Sequence, residues 1–172
     1  MLLKSINLKN IRSYTEQTIQ FPENSTLLSG DIGSGKSTLL LATEFALFGI
    51  SKPDLDGEAL LRKGTTQGSV ELNFQLEGKD IKIQRNLKKT KQGTVQASGY
   101  IITNNIKKEL TPVELKAEII HLLNYPEEMI TKSKNYIFRY TVYCPQEEMK
   151  LILQDSPDNR LDLLRKIFNL DK

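Results

Sequence analysis

The stretch that most constrains this chain is Gly30-Asp31-Ile32-Gly33-Ser34-Gly35-Lys36-Ser37-Thr38, which matches the phosphate-loop pattern of Gly, four residues and Gly-Lys-Ser without a mismatch. Its glycines can adopt backbone angles closed to residues with a Cβ, so successive N–H groups can point at phosphate oxygens. In this pattern the lysine, Lys36, reaches the β- and γ-phosphates, and the hydroxyl of Ser37 ligates Mg²⁺. The sequence therefore predicts a nucleotide triphosphate site.

The residues on either side of the loop support this prediction. Ser25 to Ser29 is short and partly apolar, which predicts a buried strand entering the loop. Leu39 to Phe48 is largely apolar, which predicts a buried helix whose N-terminus faces the phosphates. We expect Gly49 to end that helix.

Alternating apolar residues predict most of the remaining strands. Met1 to Leu8 and Thr15 to Phe21 read as a hairpin that precedes the loop. Residues 51–68 are rich in Gly, Pro, Asp and Lys, which predicts a surface loop with a short helix near Glu58 to Leu61. Three further strands, at Val70 to Leu76, Ile81 to Leu87 and Gly99 to Thr103, should form a meander that packs against the phosphate-loop helix.

Helices are predicted in the C-terminal half. Thr111 as N-cap, Pro112 in the first turn and Glu114 closing a capping box begin a helix whose apolar stripe is Leu115, Ile119, Leu122 and Leu123. A short helix at Pro126, a strand at 138–143 and a helix at 146–153 should follow. A last helix, capped at 156–158, carries apolar residues at a spacing compatible with the first turns of a coiled coil.

Composition sets limits on location and partners. The chain has 172 residues and a formal net charge of +3, which permits an acidic partner such as DNA. No apolar run approaches the roughly 18 residues of a membrane span, and no signal peptide is visible, so we expect a cytoplasmic protein. We interpret the single cysteine, Cys144, as a small, partly buried residue and the single histidine, His121, as a packing residue.

Basic residues fall in two clusters. The first lies along the hairpin formed by the predicted strands Val70 to Leu76 and Ile81 to Leu87, and it contains Lys79, Lys82, Arg85, Lys88, Lys89 and Lys91. The second contains Lys132, Lys134 and Arg139. On a strand, Lys82 and Lys88 share a face that Arg85 does not. The first cluster is either a surface that follows a phosphate backbone or a solvated edge strand protected by lysines. No aromatic residue is interleaved to stack on bases, so a nucleic-acid contact would be with duplex backbone.

An acidic strand end is missing. A phosphate-loop hydrolase needs a carboxylate that holds Mg²⁺ through water, in the form of an apolar strand ending in Asp or Asp-Glu. The nearest candidates, 119–124 and 167–171, do not fit that form. The chain also has too few apolar strands for a complete parallel sheet. The sequence therefore predicts half of an ATPase.

Three segments together resemble the N-terminal lobe of the Rad-fifty/SbcC DNA double-strand-break repair ATPases. They are residues 6–14 (Ile-Asn-Leu-Lys-Asn-Ile-Arg-Ser-Tyr), the phosphate loop with the helix up to Gly49, and residues 141–153, which contain Cys-Pro-Gln. The resemblance covers nearly the whole chain. It implies an α/β fold of the P-loop NTPase, ABC-ATPase type, with an antiparallel β meander and the start of a coiled-coil helix. It also implies an ATPase head split into two lobes joined by a long coiled coil, with residues 1–155 as the lobe and 156–172 as the coiled-coil base.

The resemblance also implies the site residues for ATP and Mg²⁺. Lys36 and Gln146 are the expected catalytic residues, with Gln146 in the Q-loop and its amide oxygen joining Ser37 at Mg²⁺. The expected ATP-binding residues are Arg12, Ser13, Asp31, Ile32, Gly33, Ser34, Gly35, Lys36, Ser37, Thr38, Arg62, Lys63 and Gly64. Three residues depart from the family pattern: Ile32 stands where Asn is frequent, and Pro145 and Glu147 flank Gln146 where Arg and Gly are common.

Three functions remain open. The first is the ATP-binding half of a repair ATPase, active only with its C-terminal lobe. In that function it dimerises on ATP with a second head, contacts double-stranded DNA in the nucleoid and regulates an Mre-eleven/SbcD-type nuclease. The second is an SMC-type chromosome-structure ATPase lobe that tethers DNA without a nuclease, which copurification would distinguish by its kleisin-like partner. The third is a complete small phosphate-loop kinase or GTPase, which predicts turnover by this chain alone.

Overall fold

The computed structural model describes residues 1–50, 55–124, 156–158, 160, 161 and 165. The chain divides into two compact units, Met1–Thr131 and Lys132–Lys172. The strands and long helices described here belong to the first. In the second, Pro157, Asp158, Arg160, Leu161 and Arg165 are helical, and the Arg160 N–H donates to the Ser156 carbonyl at 3.0 Å. The predicted helix start at 156–158 is therefore confirmed.

The first unit is an antiparallel sheet with helices on one face. Its elements in chain order are β1 (Leu2–Ile11), β2 (Tyr14–Gln20), α1 (Lys36–Phe48), α2 (Gly57–Leu60), β3 (Gln67–Leu76), β4 (Lys79–Thr90), β5 (Gly93–Thr103), β6 (Ile106–Leu110) and α3 (Pro112–Leu122). Within the described residues, the strands form one six-stranded sheet in the order β2-β1-β3-β4-β5-β6, and neighbouring strands are antiparallel. The predicted hairpin and meander are confirmed. The additional strand β6 is exposed and lacks the apolar alternation that would have predicted it.

The alternation of side chains explains where the core lies. In β3 and β4 every second residue is buried, and Leu72 stands opposite Ile83 on the inner face. Helix α1 packs against β1, β3 and β4 through that face. The buried apolar residues of the helix are Leu39, Ala42, Phe45, Ala46, Leu47 and Phe48. Since each fully buried large apolar side chain contributes about 1.5–3 kcal/mol, this face fixes the helix on the sheet.

The ends of the helices follow from local chemistry. The Gly49 N–H donates to the Phe45 carbonyl at 2.8 Å, so the predicted end of α1 is confirmed. Helix α3 begins with the predicted capping box, in which Thr111 and Glu114 bond each other's backbone N–H. The Thr111 hydroxyl also donates to the Glu114 carboxylate at 2.7 Å, and this bond, together with the one from the Thr111 backbone N–H, holds the pKa of Glu114 below its ordinary value. The apolar stripe of α3 differs from the prediction, because Ile120 is buried with Leu115 and Ile119, whereas the helix ends at Leu122.

The predictions for Ser25–Ser29 and His121 are wrong. The segment Ser25–Ser29 forms no strand and is largely exposed, with Leu27 at 89% exposure, because no strand in the described part of the chain lies beside it to complete a ladder. His121 is exposed in the last turn of α3 and therefore does not pack in the core. The segments predicted at 126 and 138–153, the basic residues Lys132, Lys134 and Arg139, and Cys144, Pro145, Gln146 and Glu147 lie outside the described residues.

Candidate nucleotide site

The N-terminus of α1 is built as an anion site. Its N-cap, Gly35, has φ 100°, a left-handed conformation that disfavours any residue with a Cβ. No side chain caps the helix, and its first turn carries no acidic residue. The Thr38 N–H donates to the Gly35 carbonyl at 2.9 Å, so within the described residues the N–H groups of Lys36 and Ser37 are left for an external acceptor. Aligned peptide dipoles add a partial positive charge at the same point. An anion such as a phosphate fits this end of the helix.

Lys36 folds back over the loop that precedes it. Its Nζ atom donates to the Gly30 carbonyl at 2.7 Å, the Asp31 carbonyl at 2.8 Å and the Ser34 Oγ at 3.3 Å. Neutral carbonyls are weaker partners for an ammonium group than a phosphate oxygen is. The ammonium group therefore sits inside the loop, where it can exchange these carbonyls for a phosphate.

The turn between β1 and β2 is pressed against the same helix end. A Cβ placed on Gly35 would lie 2.8 Å from the Ser13 Oγ and 2.9 Å from the Tyr14 ring. The Tyr14 hydroxyl also donates to the Gly35 carbonyl at 3.3 Å. Gly35 is thus required both for its backbone angle and for this close approach. Sequence reasoning missed the contact of Tyr14, because only the fold brings the turn and the helix together.

A cavity of about 300 Å³ lies between the turn and the loop. It is lined by Arg12, Ser13, Gly33, Gly35, Lys36, Ser37 and Thr38. Seven of the predicted ATP-binding residues therefore come together around one space. The glycine-built backbone, the ammonium group and the Ser37 hydroxyl form a donor set that fits a triphosphate with Mg²⁺.

The remaining predicted residues that the structure describes do not line this cavity. Asp31, Ile32 and Ser34 are exposed on the loop, and the Ile32 side chain is fully exposed at 104%. Lys63 and Gly64 are exposed in the turn after α2. Gln146, the predicted catalytic and metal-binding glutamine, lies outside the described residues, so its role stays a prediction.

Arg62 holds the turn between β1 and β2 through hydrogen bonds to its backbone carbonyls. Its NH1 atom donates to the carbonyls of Arg12 at 3.0 Å and Ser13 at 2.8 Å, and its N–H donates to the Asn10 carbonyl at 3.0 Å. The backbone N–H and the Nε of Arg12 donate in turn to the carbonyls of Leu60 and Ala59, at 2.9 and 3.1 Å. The segment 59–62 therefore fixes the turn that faces the phosphate loop.

Arg85 departs from the sequence prediction. Its position in the sequence places it in the first basic cluster, but its side chain is fully buried on the inner face of β4. Its guanidinium group donates to the carbonyls of Ala46 at 2.8 Å, Leu47 at 3.1 Å and Pro112 at 3.4 Å. Burial lowers the pKa of Arg85 to about 9. Arg85 therefore holds the C-terminal end of α1, and it is not part of a surface.

Comparison with known families and proteins agrees with this geometry. The family model described as AAA domain matches residues 5–172. The chain is 28% identical over its full length to a DNA double-strand break repair Rad50 ATPase of Methanococcus maripaludis, and 27% identical to that of Thermoplasma volcanium. It spans only 16% and 18% of the length of those two proteins.

Two solved structures were compared with the chain's fold. The recombination mediator protein RecF-ATPrS of the RecFOR pathway aligns with 96% of this chain and 50% of its own, with a TM-score of 0.53 and 19% sequence identity. The SMC head domain from Thermotoga maritima aligns with 69% of this chain and 42% of its own, with a TM-score of 0.46 and 24% identity. The RecF match shows a shared fold. In the described part of the chain, no helix is long and apolar enough to cross a membrane.

Proposed function

The chain belongs to the AAA domain family and is a lobe of the Rad50/SMC-like ATPase type, and from this we propose that it is the ATP-binding half of a DNA double-strand-break repair ATPase. The observation that carries the proposal is the cavity of about 300 Å³ at the N-terminus of α1, with Lys36 and the glycine backbone on one side and Arg12 and Ser13 on the other. This arrangement supplies backbone N–H groups, an ammonium group and a guanidinium group to one polyanion.

Each of these residues has a distinct role in the proposed site. The N–H groups at the start of α1 hold phosphate oxygens, and Lys36 leaves its loop carbonyls to neutralise the terminal phosphates. Ser37 and Gln146 hold Mg²⁺, which when bound would neutralise charge on the β- and γ-phosphates. Arg12 and Ser13 contact the nucleotide from the turn, while Lys63 and Gly64 approach its base and sugar.

Two observations support a half rather than a whole enzyme. In the described part of the chain, Ser25–Ser29 runs into the loop with no strand beside it, and Leu27 is exposed there. The sequence contains no apolar strand that ends in the acidic residues needed for hydrolysis. We propose that a C-terminal lobe of the same protein supplies both the neighbouring strand and the carboxylates, and that this chain alone does not hydrolyse ATP.

The partners follow from the same proposal. Two completed heads would dimerise on ATP, contact double-stranded DNA at the nucleoid and regulate an Mre-eleven/SbcD-type nuclease. Copurification from the native source tests this choice. Recovery of a nuclease subunit supports the repair function, whereas a kleisin-like linker would favour the SMC-type tether.

Lys36→Ala tests the nucleotide site directly. In the protein completed with its C-terminal lobe, we expect this change to weaken binding of labelled ATP by about a hundredfold or more, because a positioned charge facing the phosphates is lost. Lys79→Ala removes the same charge from the exposed first residue of β4 and should leave ATP binding unchanged. Normal binding and turnover in the Lys36 variant would refute the proposed site.

A further inference from the structure

Tyr14, the first residue of β2, lies against the helix end that faces the candidate nucleotide site. Its hydroxyl donates to the Gly35 carbonyl at 3.3 Å, and its ring edge and hydroxyl would each lie 2.9 Å from a Cβ placed on Gly35. Tyr14 is half-buried and does not line the cavity, whereas its neighbours Arg12 and Ser13 do. The contacts of Tyr14 with the site therefore run through Gly35.

The Gly35 carbonyl and the Lys36 N–H belong to the same peptide group. In a planar trans peptide these two groups point in opposite directions, so a bond that holds the carbonyl also sets the direction of the N–H. The Gly35 carbonyl accepts from the Thr38 N–H at 2.9 Å, and the Tyr14 hydroxyl donates to the same oxygen. The Lys36 N–H therefore points out of the N-terminal end of α1, toward the cavity that Gly35, Lys36 and Ser37 line.

Glycine gives this peptide group little restraint of its own. A residue without a Cβ populates positive and negative φ about equally, and rotation at Gly35 would turn the Lys36 N–H away from the cavity. The bond from Thr38 is local, three residues along the chain. The bond from Tyr14 comes from 21 positions earlier and from a strand of the sheet, so it ties the peptide group to a rigid element.

We propose that Tyr14 is a positioning residue for nucleotide binding, which holds the Gly35–Lys36 peptide group so that the Lys36 N–H meets a phosphate oxygen. It does so with its hydroxyl on the Gly35 carbonyl and with its ring against the Gly35 backbone. A donor already aimed at the phosphate loses less freedom on binding than one that must first turn. The inference rests on the proposed function, because it needs a phosphate ligand at this helix end, and it adds a residue outside the predicted set.

Tyr14→Phe tests this role, because it removes the hydroxyl and keeps the ring. In the protein completed with its C-terminal lobe, we expect calorimetry to show about a fourfold loss of affinity for ATP, since one neutral hydrogen bond is lost. Inorganic tripolyphosphate, which has no base or sugar, should lose affinity by the same factor. The matched control is Tyr100→Phe on β5, which removes a partly buried hydroxyl bonded to Glu71 at 2.6 Å and should change neither affinity.

A spectroscopic measurement tests the same role in the unmodified protein. On addition of tripolyphosphate, the amide proton resonance of Lys36 should move downfield in the wild type and less far in Tyr14→Phe. An unmoved Lys36 amide, an equal loss of affinity in Tyr100→Phe, or a loss confined to ATP would each overturn the role of Tyr14, the last because it indicates a contact with the base. Wild-type protein that binds neither ligand contradicts the proposed function as well, whereas Tyr14→Phe that binds both ligands as tightly as the wild type contradicts the positioning role alone.

Discussion

Arg62 shows how a single residue can shape a binding site without lining it. Its guanidinium group holds the carbonyls of Arg12 and Ser13, and Arg12 has φ 47°, in the left-handed region. For a residue with a Cβ this conformation costs about 1 kcal/mol or more, so it persists only where the surroundings hold it. Arg62 therefore acts as a positioning residue for the turn, in addition to its predicted place near the nucleotide.

Removing Arg62 should weaken ATP binding through Arg12. We expect Arg62→Ala to reduce affinity by about tenfold in the two-lobe protein, because the turn is no longer held beside the phosphate loop. In a background that already carries Arg12→Ala, the same change should have little further effect, since positions that act through one another are not additive. Calorimetry on the four proteins of this cycle measures the coupling.

The control is Arg62→Lys, which keeps the charge but offers a single ammonium group in place of the planar guanidinium. We expect it to recover only part of the lost affinity. Fully additive losses for the Arg12 and Arg62 variants would contradict the positioning role and would instead favour independent contacts with the nucleotide.

At this scale the sequence predicted local features of the site better than contacts between distant parts of the chain. The glycine and lysine spacing of the loop is local, so the pattern alone placed Lys36 and Gly35 at a helix N-terminus. The bonds of Arg62 reach across about fifty positions of the chain, and no spacing rule reveals them. The contact between Tyr14 and Gly35 was missed for the same reason.

Helix α1 is held at both ends by elements from elsewhere in the chain. Its N-terminus contacts the turn between β1 and β2, and its C-terminal carbonyls accept hydrogen bonds from Arg85 on β4. The same guanidinium group reaches the Pro112 carbonyl in the first turn of α3. One buried side chain therefore connects α1, β4 and α3.

Arg85→Met should destabilise the fold by about 3 kcal/mol. Methionine replaces the apolar stem but leaves buried carbonyl oxygens without a donor, at about 1–3 kcal/mol for an unsatisfied group. Urea unfolding followed by circular dichroism measures the change. Lys82→Met, on the outer face of the same strand, should cost less than about 1 kcal/mol, because its ion pair with Glu71 is partly exposed to solvent. Similar losses for both variants would contradict the capping role of Arg85.

Elements with strong local signals were predictable, and those that depend on a partner were not. Period-two alternation predicted β3 and β4 and placed Arg85 on the face opposite Lys82, but it could not show that this arginine is buried under a helix end. The apolar residues of Ser25–Ser29 resemble a strand, yet a strand forms only where another lies beside it. The capping box of α3 is self-contained, and its prediction is confirmed.

The connectivity of the whole sheet is nearly that of a simple meander. The turns between β3 and β4 and between β4 and β5 are short, and these strands are neighbours both in sequence and in space. The exception is the pairing of β1 with β3, which encloses residues 12–66 and so contains the phosphate loop and α1. The candidate nucleotide site thus lies within the one long loop of this sheet, as far as the described residues show.

That enclosure has a consequence for the order of folding. Closing a loop of this length costs about 3 kcal/mol more chain entropy than closing a tight hairpin, so β3, β4 and β5 should associate before β1 joins them. Pulsed hydrogen exchange during refolding should protect amides of β4 ahead of those of β1, and simultaneous protection would contradict this order. A newly made chain would then acquire its affinity for nucleotide only when β1 pairs with β3. ATP would therefore bind after the sheet has formed and would not promote its folding.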